Sequence, residues 1–177
     1  MDLLTAHRQL LERRREVMNL VGPGPLEPHY YDCTEALSIV EPQGHWADLG
    51  TGAGFPGIVF AAKFPEVRLD LVDSRSKRCT FLEAVLLDGG NPANVRVLCQ
   101  RLEDLPDASY DGLTARALSS PREMLAHARR LLRPGGQLVL FLQDEEVPPI
   151  ADFTVVKEHR YRFERGYRRS VVLRWQG

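Results

Sequence analysis

The stretch that most constrains this chain is Asp48-Leu-Gly50-Thr-Gly52-Ala-Gly54-Phe-Pro56-Gly57, which directly follows a short apolar run. Glycine lets the backbone turn sharply and lets a ligand approach the main chain, while a following helix turns its free N–H groups toward that ligand. Taken alone, Gly52-Ala-Gly54-Phe-Pro56-Gly57 suits a nicotinamide site, another nucleotide site or a ligand-free tight turn. In each case a strand-to-helix turn of this kind belongs to an α/β sheet. The chain beyond residue 45 agrees, because short apolar segments alternate with helical ones. Strands are predicted over 45–49, 67–72, 95–98, 112–115 and 137–142, and helices over 57–63, 76–87 and 121–132. That alternation is the mark of a parallel sheet built from βαβ units. Ser120 and Glu123 around Pro121 predict a capping box at the start of the last helix.

Two carboxylates narrow the ligand. Asp73 ends the second predicted strand, where an acid accepts hydrogen bonds from both ribose hydroxyls of a nucleoside. An ordinary surface carboxylate is the plain alternative. Asp48 ends the first strand, where it suits a ligand ammonium and repels a pyrophosphate. The pair therefore favours S-adenosylmethionine over NAD.

Residues 2–20 read as an amphipathic helix, with Leu3, Leu10 and Val17 and then Leu4, Leu11 and Met18 at seven-residue intervals. Gly22-Pro23-Gly24-Pro25 breaks it, and a second helix is predicted over 29–40. The 177 residues suffice for one domain, divided into a helical cap (1–42) and a cofactor-binding sheet (43–177). No apolar run approaches the roughly 20 residues of a membrane span. Cys33, Cys79 and Cys99 form neither a zinc spacing nor a disulfide framework, so they read as small packing residues in a cytoplasmic protein without a metal site.

After Pro148-Pro149 the pattern changes to two strands, predicted over 153–157 and 170–175, added without a crossover helix. The formal net charge of −1 excludes a uniformly basic nucleic-acid binder but not a local patch. This tail carries such a patch, with seven basic residues against Glu158 and Glu164. Its arginines, interleaved with Tyr161, Phe163 and Tyr167, suit either RNA contact or a charged strand edge.

Several motifs together resemble the small-subunit ribosomal RNA methyltransferase G family, also called glucose-inhibited division protein B. They are the loop at 48–57, Asp73-Ser74 with Lys77-Arg78 and Phe81-Leu82, Arg101-Leu-Glu103, and Arg116-Ala117. Upstream, Asn19-Leu20 and His29-Tyr-Tyr-Asp32 match as well, so the likeness runs over roughly residues 10–175. It implies a class I methyltransferase fold: a mostly parallel, Rossmann-like, seven-stranded sheet with helices on both faces and an N-terminal helical cap. The implied activity is methyl transfer from S-adenosylmethionine to N7 of a guanine in 16S rRNA, by a monomer acting on the rRNA or the 30S subunit. Methylation of another substrate and a non-catalytic cofactor-binding module are the alternatives.

By the same resemblance, Gly50, Thr51, Gly52, Gly54 and Phe55 with Asp48 surround the methionine and ribose parts. Asp73 takes the ribose hydroxyls, Ser74 lies beside the adenine, and Leu102 and Glu103 close over it. Arg116 leaves the fourth strand where open α/β sheets bind ligands; its plain alternative is a salt bridge to Asp111. His29 and Asp32 share a helix face and are candidates for positioning, or for a structural hydrogen bond. Gln143-Asp144 stands where family members carry Lys-Gly, and Glu145-Glu146 follows, which puts acid at the mouth of the predicted site.

Overall fold

The chain begins with two helices, α1 (Leu3–Met18) and α2 (Glu27–Ala36), the second continued by a 3-10 turn at Leu37–Ile39. Then come β1 (His45–Leu49), α3 (Gly57–Lys63), β2 (Arg68–Asp73), α4 (Ser76–Asp88), β3 (Val95–Cys99), β4 (Tyr110–Ala115), α5 (Pro121–Leu131) and β5 (Leu132–Leu142). The strands β6 (Phe153–Phe163) and β7 (Gly166–Trp175) complete the architecture. The computed structural model describes residues 1–116, 120–144, 147 and 150–177.

All seven strands join one sheet in the order β3-β2-β1-β4-β5-β7-β6. Neighbours among β1 to β5 are parallel, and β7 runs antiparallel to both β5 and β6. This is the expected α/β architecture. Strand order reverses between β1 and β4, and such a reversal opens a crevice at the carboxyl ends of the strands. The glycine loop leaves β1 at that crevice.

The inner strands are covered on both faces, which explains their unbroken apolar runs. On one face Leu69 and Leu71 pack with Leu11 of α1, Ile58 and Phe60 of α3, and Phe81 and Leu82 of α4. On the other, Leu113, Leu138 and Leu140 pack with Met124, Leu125, Ala128 and Leu131 of α5. The capping box of α5 is present: Glu123 N–H donates to Ser120 Oγ, and Ser120 N–H donates to the Glu123 carboxylate.

Three expectations are corrected. The terminal ribbon is longer than its apolar pattern suggested, because β6 and β7 pair without a break from Phe153↔Trp175 to Phe163↔Gly166, apart from one bulge near Val155. Its outer half is polar and half exposed, so apolar alternation does not mark it. β5 begins at Leu132 and absorbs Arg133-Pro134-Gly135-Gly136 through an irregular register with β4. Cys33 and Cys79 are buried as expected, but Cys99 is exposed at the end of β3.

Candidate functional site

The glycine loop is held by its own backbone and by two acids. Gly50, Gly52 and Gly54 have φ of 63°, 58° and 97°, values costly for a residue with a Cβ. Thr51 N–H donates to Val72 O (3.0 Å), which fastens the loop to β2. Asp73, at the end of β2, accepts from Gly52 N–H (3.0 Å) through Oδ2 and from Arg75 N–H (2.9 Å) through Oδ1. Each oxygen keeps capacity for a further donor. Arg78 Nη1 lies 3.4 Å from Oδ2.

Asp48 is placed differently from its expected role at a ligand ammonium. It is fully buried, with Oδ2 accepting from Gly57 N–H (2.9 Å) and Oδ1 from the Thr114 hydroxyl (2.9 Å). It thereby ties the loop's end to the strand across the switch point. Burial raises its pKa to about 6, against the opposing pull of the Thr51 and Thr114 hydroxyls and the Gly57 N–H. The close approach requires glycine at 57, because a Cβ there would lie 2.6 Å from Asp48 Oδ2 and 3.0 Å from Thr51 Oγ1, and would crowd Leu71. Gly57→Ala should therefore destabilise the fold by roughly 1–3 kcal/mol, the usual range for overpacking. Urea unfolding should show a lower midpoint with an unchanged slope, and an unchanged midpoint would refute the packing argument.

Two cavities flank the loop and share Gly50 and Arg78. The first, about 450 Å³, is lined by Asp73, Ser74, Leu102 and Glu103, the residues expected around a nucleoside, together with Arg101 and His127. The second, about 330 Å³, is lined by Thr51, Gly52, Phe55, His29, Arg116 and Arg168, among others. Thr51 Oγ1 is buried there beside the Asp48 carboxylate, which its hydroxyl helps to keep charged. A nucleoside carrying a polar tail fits this arrangement: an acid for a diol and, beside it, a glycine cradle that lets the tail approach the backbone. A larger depression of about 580 Å³ lies at the other end of the sheet, beside Gly44, Trp46 and Gln137, away from these groups.

Arg116 does not pair with Asp111, whose carboxylate instead accepts from Arg133 (2.8 Å) and His45 N–H (2.8 Å). Its Nη1 lies 3.2 Å from Asp32 Oδ2, and its guanidinium stands 5.0 Å from the Phe55 ring centroid. Asp32 is buried and also accepts from Arg168 Nη1 (3.3 Å) and the Tyr161 hydroxyl (2.8 Å). One carboxylate thus gathers two guanidiniums from β7 and the end of β4. His29 makes no hydrogen bond to Asp32 and instead sits beside Phe55, with ring centroids 5.4 Å apart. Burial, then the Arg116 charge, holds the His29 pKa below its ordinary value.

Sequence reading missed His7 and Arg168 as site residues and gave Arg78 only as part of a motif beside Asp73. His7 of α1 is fully buried, with Nε2 2.6 Å from Ala53 O and Nδ1 2.8 Å from the Tyr30 hydroxyl. The carbonyl can only accept, so Nε2 carries the proton and Nδ1 accepts from Tyr30. Through this ring the cap grips the glycine loop. A histidine four residues from both Leu3 and Leu11 on the inward face of α1 was the available signal.

The expected acidic mouth is in part neutralised. Asp144 receives Arg160 through two bonds of 2.9 and 2.8 Å, while Glu145 and Glu146 lie outside the described residues, as does Ala117 of the Arg116-Ala117 motif. Among the described residues no group of His, Cys, Asp and Glu is arranged to hold a metal ion, and no helix is long and apolar enough to cross a membrane.

Residues 2–148 match the family described as rRNA small subunit methyltransferase G. The protein named ribosomal RNA small subunit methyltransferase G of Wolinella succinogenes is 31% identical, over 94% of this chain and 90% of its own. That of Caulobacter vibrioides is 38% identical, over 81% and 68%. Among solved structures, MtNAS in complex with MTA and tNA superposes with a TM-score of 0.65 at 14% identity, covering 99% of this chain and 70% of that one. A predicted O-methyltransferase from Agrobacterium tumefaciens gives 0.65 at 21% identity, covering 82% and 81%. These structures share the fold.

Proposed function

This chain belongs to the ribosomal RNA small subunit methyltransferase G family, and on that premise we propose that it transfers a methyl group from S-adenosylmethionine to N7 of a guanine in 16S rRNA. The observation that carries the reading is the pair of cavities joined at the glycine loop, one suited to a nucleoside and the other lined by aromatic and cationic groups. S-adenosylmethionine, when bound, supplies a methyl group on a sulfonium, ready for a nucleophile in line with the bond. Guanine N7 offers a lone pair and no proton, so the reaction needs no general base. The protein's task is then to hold the two reactants in line and keep water out.

In this reading Asp73 accepts from the ribose hydroxyls, Ser74 and Leu102 border the adenine, and Glu103 closes the first cavity. Gly50, Gly52 and Gly54 let the backbone approach the methionine part, which finds the Thr51 hydroxyl beside it. Phe55 and His29 form an aromatic wall for an extruded guanine. Arg116, steered by Asp32, supplies donors for the base or for a neighbouring phosphate. The lowering of the His29 pKa by burial and by the Arg116 charge favours the neutral imidazole, in keeping with positioning rather than proton transfer. A monomer in the cytoplasm goes with this function.

The test is methyl transfer from labelled S-adenosylmethionine to 30S subunits or 16S rRNA that lack the modification. Incorporation at a single guanine, mapped to N7, is the expected result. No incorporation where a family member succeeds on the same substrate would remove the rRNA assignment.

A further inference from the structure

The basic tail is not uniformly available to a partner, and the exceptions cluster. Lys157 pairs with Glu41, Arg160 with Asp144, Arg168 with Asp32, and Arg169 with Glu158. Arg162, Arg165 and Arg174 enter no ion pair among the described residues. Arg174 borders the depression at the far end of the sheet. Arg162 and Arg165 instead stand at the β6–β7 turn, which has Glu164 and Arg165 at its apex.

Register places that turn. Leu142, the last residue of β5, pairs with Arg169 of β7, so residues 163–168 extend past the carboxyl ends of the parallel strands, on the ligand side. One face of the ribbon packs toward α2 through Tyr161 and Arg168, both bonded to Asp32. The other face pairs Arg162 with Tyr167, whose ring is half exposed and stacked under the Arg160 guanidinium at 3.8 Å. Arg168, two residues into β7 from the turn, lines the second cavity together with His29, which sets the turn beside that cavity.

We propose that the β6–β7 turn is an RNA-docking finger, with Arg162 and Arg165 on phosphates and Tyr167 stacking an unpaired base of the strand that enters the cleft. These three side chains are exposed, and they offer the donors and the open ring face that single-stranded RNA takes. The assignment rests on the proposed rRNA methylation, for which it names the docking element.

The experiment measures binding of 16S rRNA to the wild type, to R162A/R165A and to Y167A over a salt series, beside methyl transfer and calorimetric titration with S-adenosylmethionine. R162A/R165A should flatten the log–log salt dependence by about 1.4, at roughly 0.7 per phosphate contact on a single strand. Y167A should weaken RNA binding roughly 5- to 160-fold, the span of one base–aromatic stack. Cofactor affinity and melting temperature should stay at wild-type values in both. RNA affinity and salt slope equal to the wild type in both variants would overturn the finger. So would a defect on 30S subunits that is absent on naked rRNA, which would assign the turn to a ribosomal protein. RNA binding that depends on the turn in a wild type that transfers no methyl would sustain the finger and defeat the proposed reaction.

Discussion

Asp73→Asn should weaken S-adenosylmethionine binding by roughly 100- to 1000-fold while leaving a folded protein. The carboxylate accepts from Gly52 N–H and from Arg75 N–H, one on each oxygen. An asparagine presents one oxygen and one NH₂ group, so either rotamer points a donor at one of these donors. The Gly52 bond shapes the loop, and the remaining lone pairs are those offered to the ribose diol. A hydrogen bond to a charged group contributes about 1.5–3 kcal/mol and one to a neutral group about 1, so losing one ribose bond and the charge behind the other removes roughly 3–4 kcal/mol of affinity. The lost backbone bond should also lower the melting temperature by several degrees. Asp104→Asn, which alters a neighbouring carboxylate outside both cavities, is the matched control. Calorimetric titration checks the result, and a D73N affinity within threefold of the wild type would remove Asp73 from the binding role.

Asp73 was legible because its position follows from strand order alone: an acid at the carboxyl end of β2 faces whatever the loop after β1 holds. The buried strands were legible for a related reason, since coverage on both faces demands apolar runs. The Arg116–Asp32 contact was not. Its partners are 84 residues apart, and only the placement of α2 over β6 and β7, beside the end of β4, brings them together. Asp111 is the plain alternative partner for Arg116 because it is close in sequence. Five residues along a strand, however, separate the two ends of β4, and Asp111 faces Arg133 at the far one. The outer ribbon was missed because its side chains satisfy one another by charge, as in Arg160–Asp144 and Arg169–Glu158, and not by apolar burial.

His7 and Asp48 anchor the same loop from opposite ends, and burial moves their titrations in ways that should cancel. Burial lowers the His7 pKa from 6.5 to about 4, so the unfolded chain binds a proton there that the native protein refuses. The stability that His7 contributes is therefore fully present above 6.5 and is lost as pH falls toward 4. For Asp48 the folded pKa is raised from 3.8 to about 6, so its contribution is fully present below 3.8 and is lost as pH rises through 6. Each shift corresponds to about 3 kcal/mol at 1.36 kcal/mol per unit, with opposite sign across the shared window from pH 4 to 6. In the wild type the two slopes offset one another. Asp48→Asn keeps an oxygen for Gly57 N–H and a donor for Thr114, and should expose the His7 slope. Its stability relative to wild type should rise by about 3 kcal/mol between pH 4 and 6. His7→Gln keeps a donor for Ala53 O and should expose the Asp48 slope, falling by a similar amount relative to wild type. Urea unfolding at pH 4, 5, 6 and 7 measures both. Three parallel pH profiles would mean that neither group titrates as its burial requires, and that the loop is anchored by packing alone.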